Sequence, residues 1–448
     1  MQILLYTCNY HPEPIGIAPL MTELAEGLAR CGHSVRVVTA MPNYPEREIY
    51  PGYRGRLYER ESRKGVEIER CFVAVWPKSG LLGRALFEIS FSMLSCLKAL
   101  IGPRPDVVLS TSPSLLASLS VALVGTIRRC PTVLNLQDIL PEAAIKTGQL
   151  RNPLAIMLFK RLEKFAYTRA AKISVIDPSF VRSLLTKGVD QQKLACIPNW
   201  VNIRFVRPLE KSANALRHRH RLQGKFVVLY AGNIAQTQGI ETVIYSAAQM
   251  RRNPSIQFVI VGEKSQLKDL SGLCQDLGVW NVLLLPFVHR TQLPRLLAAA
   301  DVSLVIQKQT SVGFNLPSKI PVIMASGRPL IAAVPTVGAS AEMVIKSGGG
   351  LVVAPESPTA LSQAIQKLCD SPQLVEEMGM QGRQFAVRHY SLGQAVRAYE
   401  ALLKSAIEER KRAGASTSQR SVVSSRAEPG VVALAEATVS SVVEQHSA

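Results

Sequence analysis

The feature that most constrains this chain is an alternation of short β-branched runs with helical stretches, which begins at the N-terminus and restarts near the middle. The first series contains the runs I-L-L-Y-T, S-V-R-V-V-T, D-V-V-L-S-T, T-V-L-N-L-Q and K-I-S-V-I. Strands joined by helical crossovers lie parallel in a sheet that helices cover on both faces. This series therefore predicts an α/β domain over residues 1–199.

A second series follows residues 198–224, which contain two prolines and a cluster of Arg and His and which we interpret as a linker and a short charged helix. The runs F-V-V-L-Y-A-G, Q-F-V-I-V-G, V-L-L-L-P, V-S-L-V-I, P-L-I-A-A-V and G-L-V-V-A-P predict buried parallel strands and a second domain over residues 200–390. Two doubly wound domains in tandem place a ligand site in the cleft between the carboxyl ends of their strands. We expect a helix over residues 391–412 and a disordered tail over residues 413–448.

The net charge of the 448-residue chain is +19, which favours polyanions such as nucleic acid, an anionic membrane surface or phosphate-bearing substrates. The basic residues are dispersed and form no stripe interleaved with aromatic residues, so we expect no nucleic-acid partner.

The chain has eight widely spaced cysteines and no C-x-x-C pair, and its N-terminus lacks a signal-peptide pattern. These features indicate a cytoplasmic protein with reduced thiols.

No apolar stretch reaches the roughly 20 uninterrupted residues that a membrane-spanning helix needs. Residues 81–101 and 115–127 come near it. The first of these carries, at helical spacing, Leu82, Leu86, Ile89, Met93 and Leu97, and a polar stripe of Arg84, Glu88, Ser92 and Ser95. Two interpretations remain open for it: a buried crossover helix, or a helix that lies in a membrane interface.

The βα loops that follow the first strand of each domain are candidate phosphate-binding sites. The G-x-G-x-x-G fingerprint is absent from the first loop, which disfavours a dehydrogenase and leaves a single Gly16 before a helix. In the second domain Gly232 and Gly239 bracket a loop in which Asn233 and Gln238 supply neutral hydrogen-bond donors. Backbone N–H groups and a helix N-terminus favour an anion at both loops. Ordinary βα turns are the alternative interpretation.

The most informative segment reads S-V-G-F-N-L-P-S-K-I-P-V-I-M-A-S-G-R-P-L-I-A and is followed by S-A-E-M-V-I and G-G-G-L-V-V-A-P-E-S-P. Together with N-Y-H-P-E-P-I-G-I-A and G-H-S-V-R-V-V-T-A-M-P-N-Y-P, it resembles the family 4 glycosyltransferases, which have the GT-B fold of two Rossmann-like domains facing a central cleft. The resemblance extends from the first strand to about Tyr390. It is greatest to the branch that builds colanic acid and O-antigen repeat units.

The resemblance implies a retaining glycosyltransferase that moves a hexose-type sugar from a nucleotide-sugar donor and needs no cofactor or metal ion. The absence of a D-x-D pair or a His/Cys cluster agrees with that expectation. In the family the donor binds chiefly to the second domain and the acceptor to the first. Acceptors in this branch are usually polyprenyl-diphosphate-linked saccharides, so we expect a cytoplasmic protein in peripheral contact with the anionic inner face of the plasma membrane.

Transferred position by position, the resemblance places the donor diphosphate against Lys319 and the helix that starts near Pro317. The Lys319 ammonium group would be the main electrophilic aid to the departing diphosphate, and a surface lysine in a loop is the alternative. Glu342 is predicted to bind the ribose hydroxyl groups, and a charge at a helix N-terminus is the alternative. The full predicted donor site comprises Gly16, Gly232, Asn233, Gln238, Gly239, Gly262, Glu263, Pro317, Ser318 and Glu342.

Two departures from the family pattern bear on this site. Many members carry two glutamates in an E-x7-E frame around the G-F-x-L-P turn, where this chain has Val312 and Ile320. Many also carry Arg and Lys in the first loop of the second domain, where this chain has Asn233 and Gln238, so the diphosphate loses two cations. Because the related branch shares the glutamine, we interpret the second departure as a trait of the branch.

In the first domain the run N-L-Q-D-I-L-P-E-A-A-I-K-T-G places Asp138 and Glu142 one helical turn apart and on one face. We predict both as catalytic residues, with Asp138 orienting the acceptor hydroxyl group or acting as its general base. The family often has a histidine near this position, but none of the seven histidines of this chain falls there. A helix N-cap is the alternative role for Asp138.

Two other functions fit parts of the pattern. A hydrolysing nucleotide-sugar 2-epimerase shares the architecture, but it needs several acidic and histidine groups in the cleft, and histidine is scarce here. A non-catalytic GT-B scaffold in a polysaccharide assembly complex is suggested by the missing pair of glutamates.

Overall fold

The computed structural model describes residues 1–14, 16–45, 47–76, 81–112, 115–139, 152–234, 238–311 and 319–425. The elements of the first domain are, in chain order, β1 (Gln2–Tyr6), α1 (Ala18–Arg30), β2 (Ser34–Ala40), β3 (Tyr58–Arg63), β4 (Val66–Cys71), α2 (Leu81–Leu100), β5 (Val107–Ser112), α3 (Leu115–Ile127), β6 (Thr132–Leu136), α4 (Pro153–Arg169), β7 (Lys172–Val175), α5 (Pro178–Thr186) and β8 (Leu194–Cys196). The strands form one sheet in the order β3-β4-β2-β1-β5-β6-β7-β8.

This sheet is buried on both faces because its side chains alternate between two cores. In β1, Ile3 and Leu5 point into the core beneath α1, whereas Leu4 and Tyr6 point into the core beneath α2 and α3. Such double burial is expected of parallel strands and explains their near-continuous apolar runs. The β3–β4 hairpin was not predicted, because it lies in the charged stretch around Arg54 to Arg70; β3 runs antiparallel to β4 at the sheet edge.

The elements of the second domain are α6 (Ala215–Arg219), β9 (Phe226–Ala231), α7 (Glu241–Gln249), β10 (Ile256–Gly262), α8 (Lys264–Asp276), β11 (Val282–Pro286), α9 (Leu293–Ala298), β12 (Val302–Ile306), α10 (Lys319–Ala325), β13 (Leu330–Ala333), α11 (Ala339–Ser347), β14 (Gly350–Val353), α12 (Pro358–Cys369) and α13 (Pro372–His389). The strands are parallel and have the order β11-β10-β9-β12-β13-β14. The strand order reverses between β9 and β12, which is where ligands bind in such sheets. The predicted fold of two doubly wound domains is confirmed.

The last helix, α14 (Leu392–Ser425), follows the second domain in sequence but packs on the first. Tyr399 is buried there, with its ring edge-on to Trp200 at a centroid distance of 5.9 Å, and its hydroxyl group accepts a hydrogen bond from Asn135 Nδ2. The prediction that helix ends at residue 412 and that the tail starts at residue 413 was wrong, because α14 continues to Ser425.

Helix α2 turns its apolar stripe away from the protein. Leu82 and Met93 are 75% and 63% exposed, whereas Ser92 and Ser95 of the predicted polar stripe are buried. The Ser95 hydroxyl group hydrogen-bonds the Tyr6 hydroxyl group of β1. Ser95 thus lies against the sheet beside Phe91, whose ring centre is 5.5 Å from that of Tyr6, while the predicted apolar stripe faces outward. Among the described residues, no helix has both the length and the apolarity needed to cross a bilayer.

Candidate active site

The carboxyl ends of the strands in the two sheets face each other across a cleft. Helix α1 starts at the carboxyl end of β1, and Arg290 follows the carboxyl end of β11. Arg290 Nη2 donates to Glu23 Oε1 of α1 over 3.2 Å, and Trp200 Nε1 donates to Glu23 Oε2 over 3.2 Å. These contacts connect the two domains at one side of the cleft.

The side chain of Lys319, the first residue of α10, extends to the glycine loop that follows β9. Gly232 in that loop has a φ of +138°, and a Cβ atom there would lie 2.6 Å from Lys319 Nζ and would overlap Lys319 Cε. A residue with a side chain at position 232 would therefore displace the lysine. Two predicted donor-site residues that are distant in sequence thus meet at the topological switch point.

Tyr230, near the end of β9, joins this lysine to the loop. Lys319 Nζ donates to Tyr230 Oη over 3.1 Å and lies 4.3 Å from the centre of the ring. The Tyr230 hydroxyl group also contacts the carbonyl oxygen of Asn233, 2.7 Å away, and Oε1 of Gln238. Tyr230 was not predicted from the sequence. The sequence did contain a signal, because a tyrosine follows the buried aliphatic residues of β9 just before the loop.

Lys319 and Tyr230 are both largely withdrawn from water. Burial lowers the pKa of Lys319 to about 8 and raises the pKa of Tyr230. No carboxylate among the residues that the structure describes forms an ion pair with Lys319. An ammonium group that is withdrawn from water without a counter-ion is unfavourable, so the position favours a bound anion.

The other donor-site predictions in the second domain occupy the same edge of the sheet. A Cβ atom on Gly262, at the end of β10, would lie 3.2 Å from Ile234 Cγ1, so this glycine allows the loop after β9 to pack closely. Glu263 precedes α8 and accepts a hydrogen bond from Ser265 Oγ over 3.1 Å. Glu342, in the first turn of α11, is exposed and lies 3.4 Å from Lys346 Nζ. A ribose-binding role for Glu342 stays a prediction.

In each domain one glycine precedes the helix that follows the first strand. Gly16 precedes α1 and Gly239 precedes α7, with φ values of +69° and +64°. This left-handed region favours glycine, which explains the residue type at both turns. Pro317, Ser318 and Glu142 lie outside the described residues.

Asp138 lies just past the carboxyl end of β6, on the first-domain side of the cleft. Its side chain is exposed, but nearby protein removes part of its hydration and raises its pKa. A raised pKa brings a carboxylate closer to the range in which it accepts a proton efficiently. The roles of Asp138 as general base or helix N-cap both stay predictions.

Glu13 organises the first loop of the first domain and was missed from the sequence. One of its carboxylate oxygens accepts hydrogen bonds of 2.9 Å from the backbone N–H groups of Asn43 and Tyr44, and the other accepts one of 2.8 Å from Asn9 Nδ2. Burial raises the pKa of Glu13, and these hydrogen bonds oppose that rise. The glutamate therefore ties the loop after β1 to the loop after β2.

Comparison with known proteins agrees with this arrangement. Residues 16–200 match the family described as Glycosyl transferase 4-like domain, and residues 213–385 match Glycosyl transferases group 1. The colanic acid biosynthesis glycosyl transferase WcaI of Escherichia coli is 32% identical over 334 residues, which cover 73% of this chain and 82% of the relative. The glycosyltransferase WbjE of Pseudomonas aeruginosa is 28% identical over 313 residues, which cover 67% of this chain and 76% of the relative.

Among solved structures, Anabaena HepE in complex with UDP superposes with a TM-score of 0.67 at 17% identity, covering 90% of this chain and 100% of HepE. At that identity the likeness supports the GT-B fold alone. The two family matches together cover most of the chain and divide it between the two sheets. This chain belongs to the GT-B glycosyltransferases that combine a glycosyl transferase 4-like domain with a group 1 domain.

Proposed function

We propose that the protein is a retaining glycosyltransferase that moves a hexose-type sugar from a nucleotide-sugar donor to a lipid-linked saccharide in exopolysaccharide or O-antigen biosynthesis. The observation that carries the proposal is the Lys319 amine, which lies against Gly232 at the switch point without a carboxylate partner among the described residues. The description of WcaI as a colanic acid biosynthesis enzyme supports a polysaccharide pathway. The UDP bound by HepE supports a nucleotide-sugar donor.

In the proposed reaction the acceptor hydroxyl oxygen attacks the anomeric carbon while the bond from that carbon to the diphosphate oxygen breaks. Negative charge develops on the leaving diphosphate, where the Lys319 ammonium group neutralises it. Asp138 orients the acceptor hydroxyl group or takes its proton. Because the cation comes from the protein, we expect transfer to proceed without a metal ion.

The donor proposal is tested by incubating the purified protein with GDP-fucose, GDP-mannose, UDP-glucose and UDP-N-acetylhexosamines, with and without EDTA. A bound donor raises the melting temperature by mass action. We expect one donor to stabilise the protein and to release nucleoside diphosphate slowly, with EDTA having no effect. A well-folded sample that responds to none of them would favour the non-catalytic scaffold, and release accompanied by a 2-epimerised sugar would favour the epimerase.

The acceptor proposal rests on an apolar face of the first domain. Helix α3 lies between α2 and α4, and these three helices cover the same side of the sheet. The outward side chains that form the apolar face are Leu82, Leu86, Ile89, Met93, Leu97, Leu123, Ile127, Leu154, Met157, Leu158 and Phe165. A continuous helical surface with this many exposed large apolar side chains marks an interaction site.

The charge of the surrounding residues favours an anionic membrane as the partner of the apolar face. Exposed basic residues lie on the same three helices or directly after them, namely Arg84, Arg129, Lys160, Arg161 and Lys164. Each Lys or Arg near an anionic bilayer contributes about 1 kcal/mol of attraction, and apolar side chains add to it by entering the interface. Helices α2 and α4 each follow a strand, so they start at the edge of the sheet that faces the cleft. A membrane on this face would therefore lie beside the acceptor side of the cleft.

Vesicle sedimentation tests this surface. We expect the wild-type protein to bind vesicles of anionic phospholipid at low salt and to bind neutral vesicles weakly. The double variant Leu82→Asp with Met93→Asp should lose most of that binding. The matched control changes Ile345 and Met380 to Asp together, which adds the same charge at exposed apolar positions of α11 and α13 in the other domain. Equal binding by the double variant and the control, or no binding by the wild-type protein, would exclude membrane docking through the apolar face.

A further inference from the structure

A second lysine, Lys308, also lies against the glycine loop. Lys308 follows β12, the strand that neighbours β9 at the switch point. A Cβ atom on Gly239 would lie 3.1 Å from Lys308 Cγ and 3.3 Å from Lys308 Cε, so the aliphatic part of the lysine packs directly over this glycine. Gly239 is the last glycine of the loop and stands at the start of α7.

The backbone around Lys308 is held on both sides. Gln307 N donates to the carbonyl oxygen of Ala333 in β13 over 2.9 Å. Gln309 N donates to Oε2 of Glu356 over 3.0 Å. Lys308 itself forms no ion pair with any carboxylate in the part of the chain that the structure describes. Its position is therefore set by the fold and by packing on Gly239, and its charge is available to a ligand.

The two glycines that bracket the loop thus each lie beneath one lysine. Lys319 packs over Gly232, and Lys308 packs over Gly239. The loop between the two glycines reads N-I-A-Q-T-Q and carries no charged side chain of its own. Both cations therefore reach the loop from the chain that follows β12, with Lys308 just after the strand and Lys319 at the start of α10.

We propose that Lys308 binds the diphosphate of the donor together with Lys319 and so supplies a cation that the loop itself lacks. This inference rests on the proposed transferase function and assigns a second charged contact to its donor site. A diphosphate carries charge on both phosphates, and one lysine on each side of the loop matches that distribution. Lys308 is then a catalytic residue, because its charge helps the nucleoside diphosphate to leave.

The test compares the affinities of UDP, GDP, uridine and guanosine for the wild-type protein, Lys308→Ala and Lys308→Arg. Whichever diphosphate binds the wild-type protein should bind Lys308→Ala about 10- to 100-fold more weakly, as expected for loss of a charge-assisted contact. The matching nucleoside should bind both proteins equally, and Lys308→Arg should recover much of the loss. Lys367→Ala, an exposed lysine of α12 in the same domain, controls for the change in net charge.

The outcomes separate this inference from the function on which it depends. Unchanged diphosphate affinity in a folded Lys308→Ala variant would overturn the role of Lys308 and leave the transferase proposal intact. An equal loss for the nucleoside and the diphosphate would also overturn it, since the lysine would then act only by shaping the loop. A wild-type protein that binds neither UDP nor GDP would instead contradict the proposed donor site.

Discussion

Replacing Lys319 by methionine should stabilise the second domain while weakening its affinity for nucleoside diphosphate. A pKa of about 8 against the ordinary value of 10.5 means that keeping the buried amine charged at neutral pH costs roughly 3 kcal/mol. Methionine has a similar length and carries no charge. It forfeits the hydrogen bond to Tyr230 and the contact with its ring, which together contribute about 1 to 2 kcal/mol. The net gain is therefore about 1 to 2 kcal/mol.

A gain of this size raises the melting temperature of a domain of this length by roughly 2 to 8 °C. Differential scanning calorimetry of the ligand-free protein measures it, with Lys367→Met as the control at an exposed position. The Lys319→Met variant should also be stabilised much less by the diphosphate that stabilises the wild-type protein. Stability and function then change in opposite directions, as expected for a residue held in a strained electrostatic environment for binding.

The pH dependence of the stability tests directly whether the pKa of Lys319 is lowered in the folded protein. The pKa of Lys319 is lowered in the folded state, so between about pH 8 and 10.5 the unfolded chain binds a proton that the folded chain does not. The stability of the wild-type protein therefore rises with pH across this interval. The advantage of Lys319→Met should be fully present at about pH 7 and should shrink by about pH 9.5.

The reasoning would be refuted by a Lys319→Met variant that melts below the wild-type protein at neutral pH with a difference that does not change with pH. That result would mean that the amine is well hydrated and that its contacts with Tyr230 dominate. A variant that is stabilised but still binds the diphosphate with wild-type affinity would contradict the donor role alone.

Three further predictions concern the loop, the acceptor side and the contact between domains. Gly232→Ala should weaken diphosphate binding about tenfold or more, because the added Cβ displaces the Lys319 amine; unchanged affinity in a calorimetric titration would contradict this. Asp138→Asn should lower turnover by about 10²- to 10⁴-fold with donor affinity retained, and wild-type turnover should fall at low pH as this carboxylate is protonated; turnover near that of the wild-type protein would exclude the role. Glu23→Gln should weaken the ion pair with Arg290 and increase the radius of gyration in small-angle scattering; identical scattering would show that the pair does not hold the cleft closed.

Much of the fold was predictable because its determinants are local. Each strand of the second domain coincides with an apolar run, since a strand buried on both faces must be apolar along its whole length. The glycine loop was predictable for a related reason, because short segments after strands carry recognisable residue types, whereas Lys319 was proposed from the resemblance to a family. The β3–β4 hairpin was missed because its alternating charged residues resemble a surface stretch.

The direction in which a helix faces was not predictable. Helix α2 has apolar residues on more than one side, and its sequence fits both a buried and an interfacial helix. In the structure Phe91 and Ser95 face Tyr6 of the sheet, and the apolar stripe that includes Leu82 and Met93 faces outward. That choice depends on the shape of the opposing surface, which local sequence does not contain.

The sequence by itself determined two doubly wound domains, the order of their strands along the chain and the residue types at the candidate donor loop. The tertiary structure decided which of these residues meet. Only the fold places Lys319 over Gly232 and Lys308 over Gly239, and only the fold returns Tyr399 to the core of the first domain. The physical reason is that periodicity and turn chemistry act over a few residues, whereas these contacts join residues distant in sequence that sheet topology brings together.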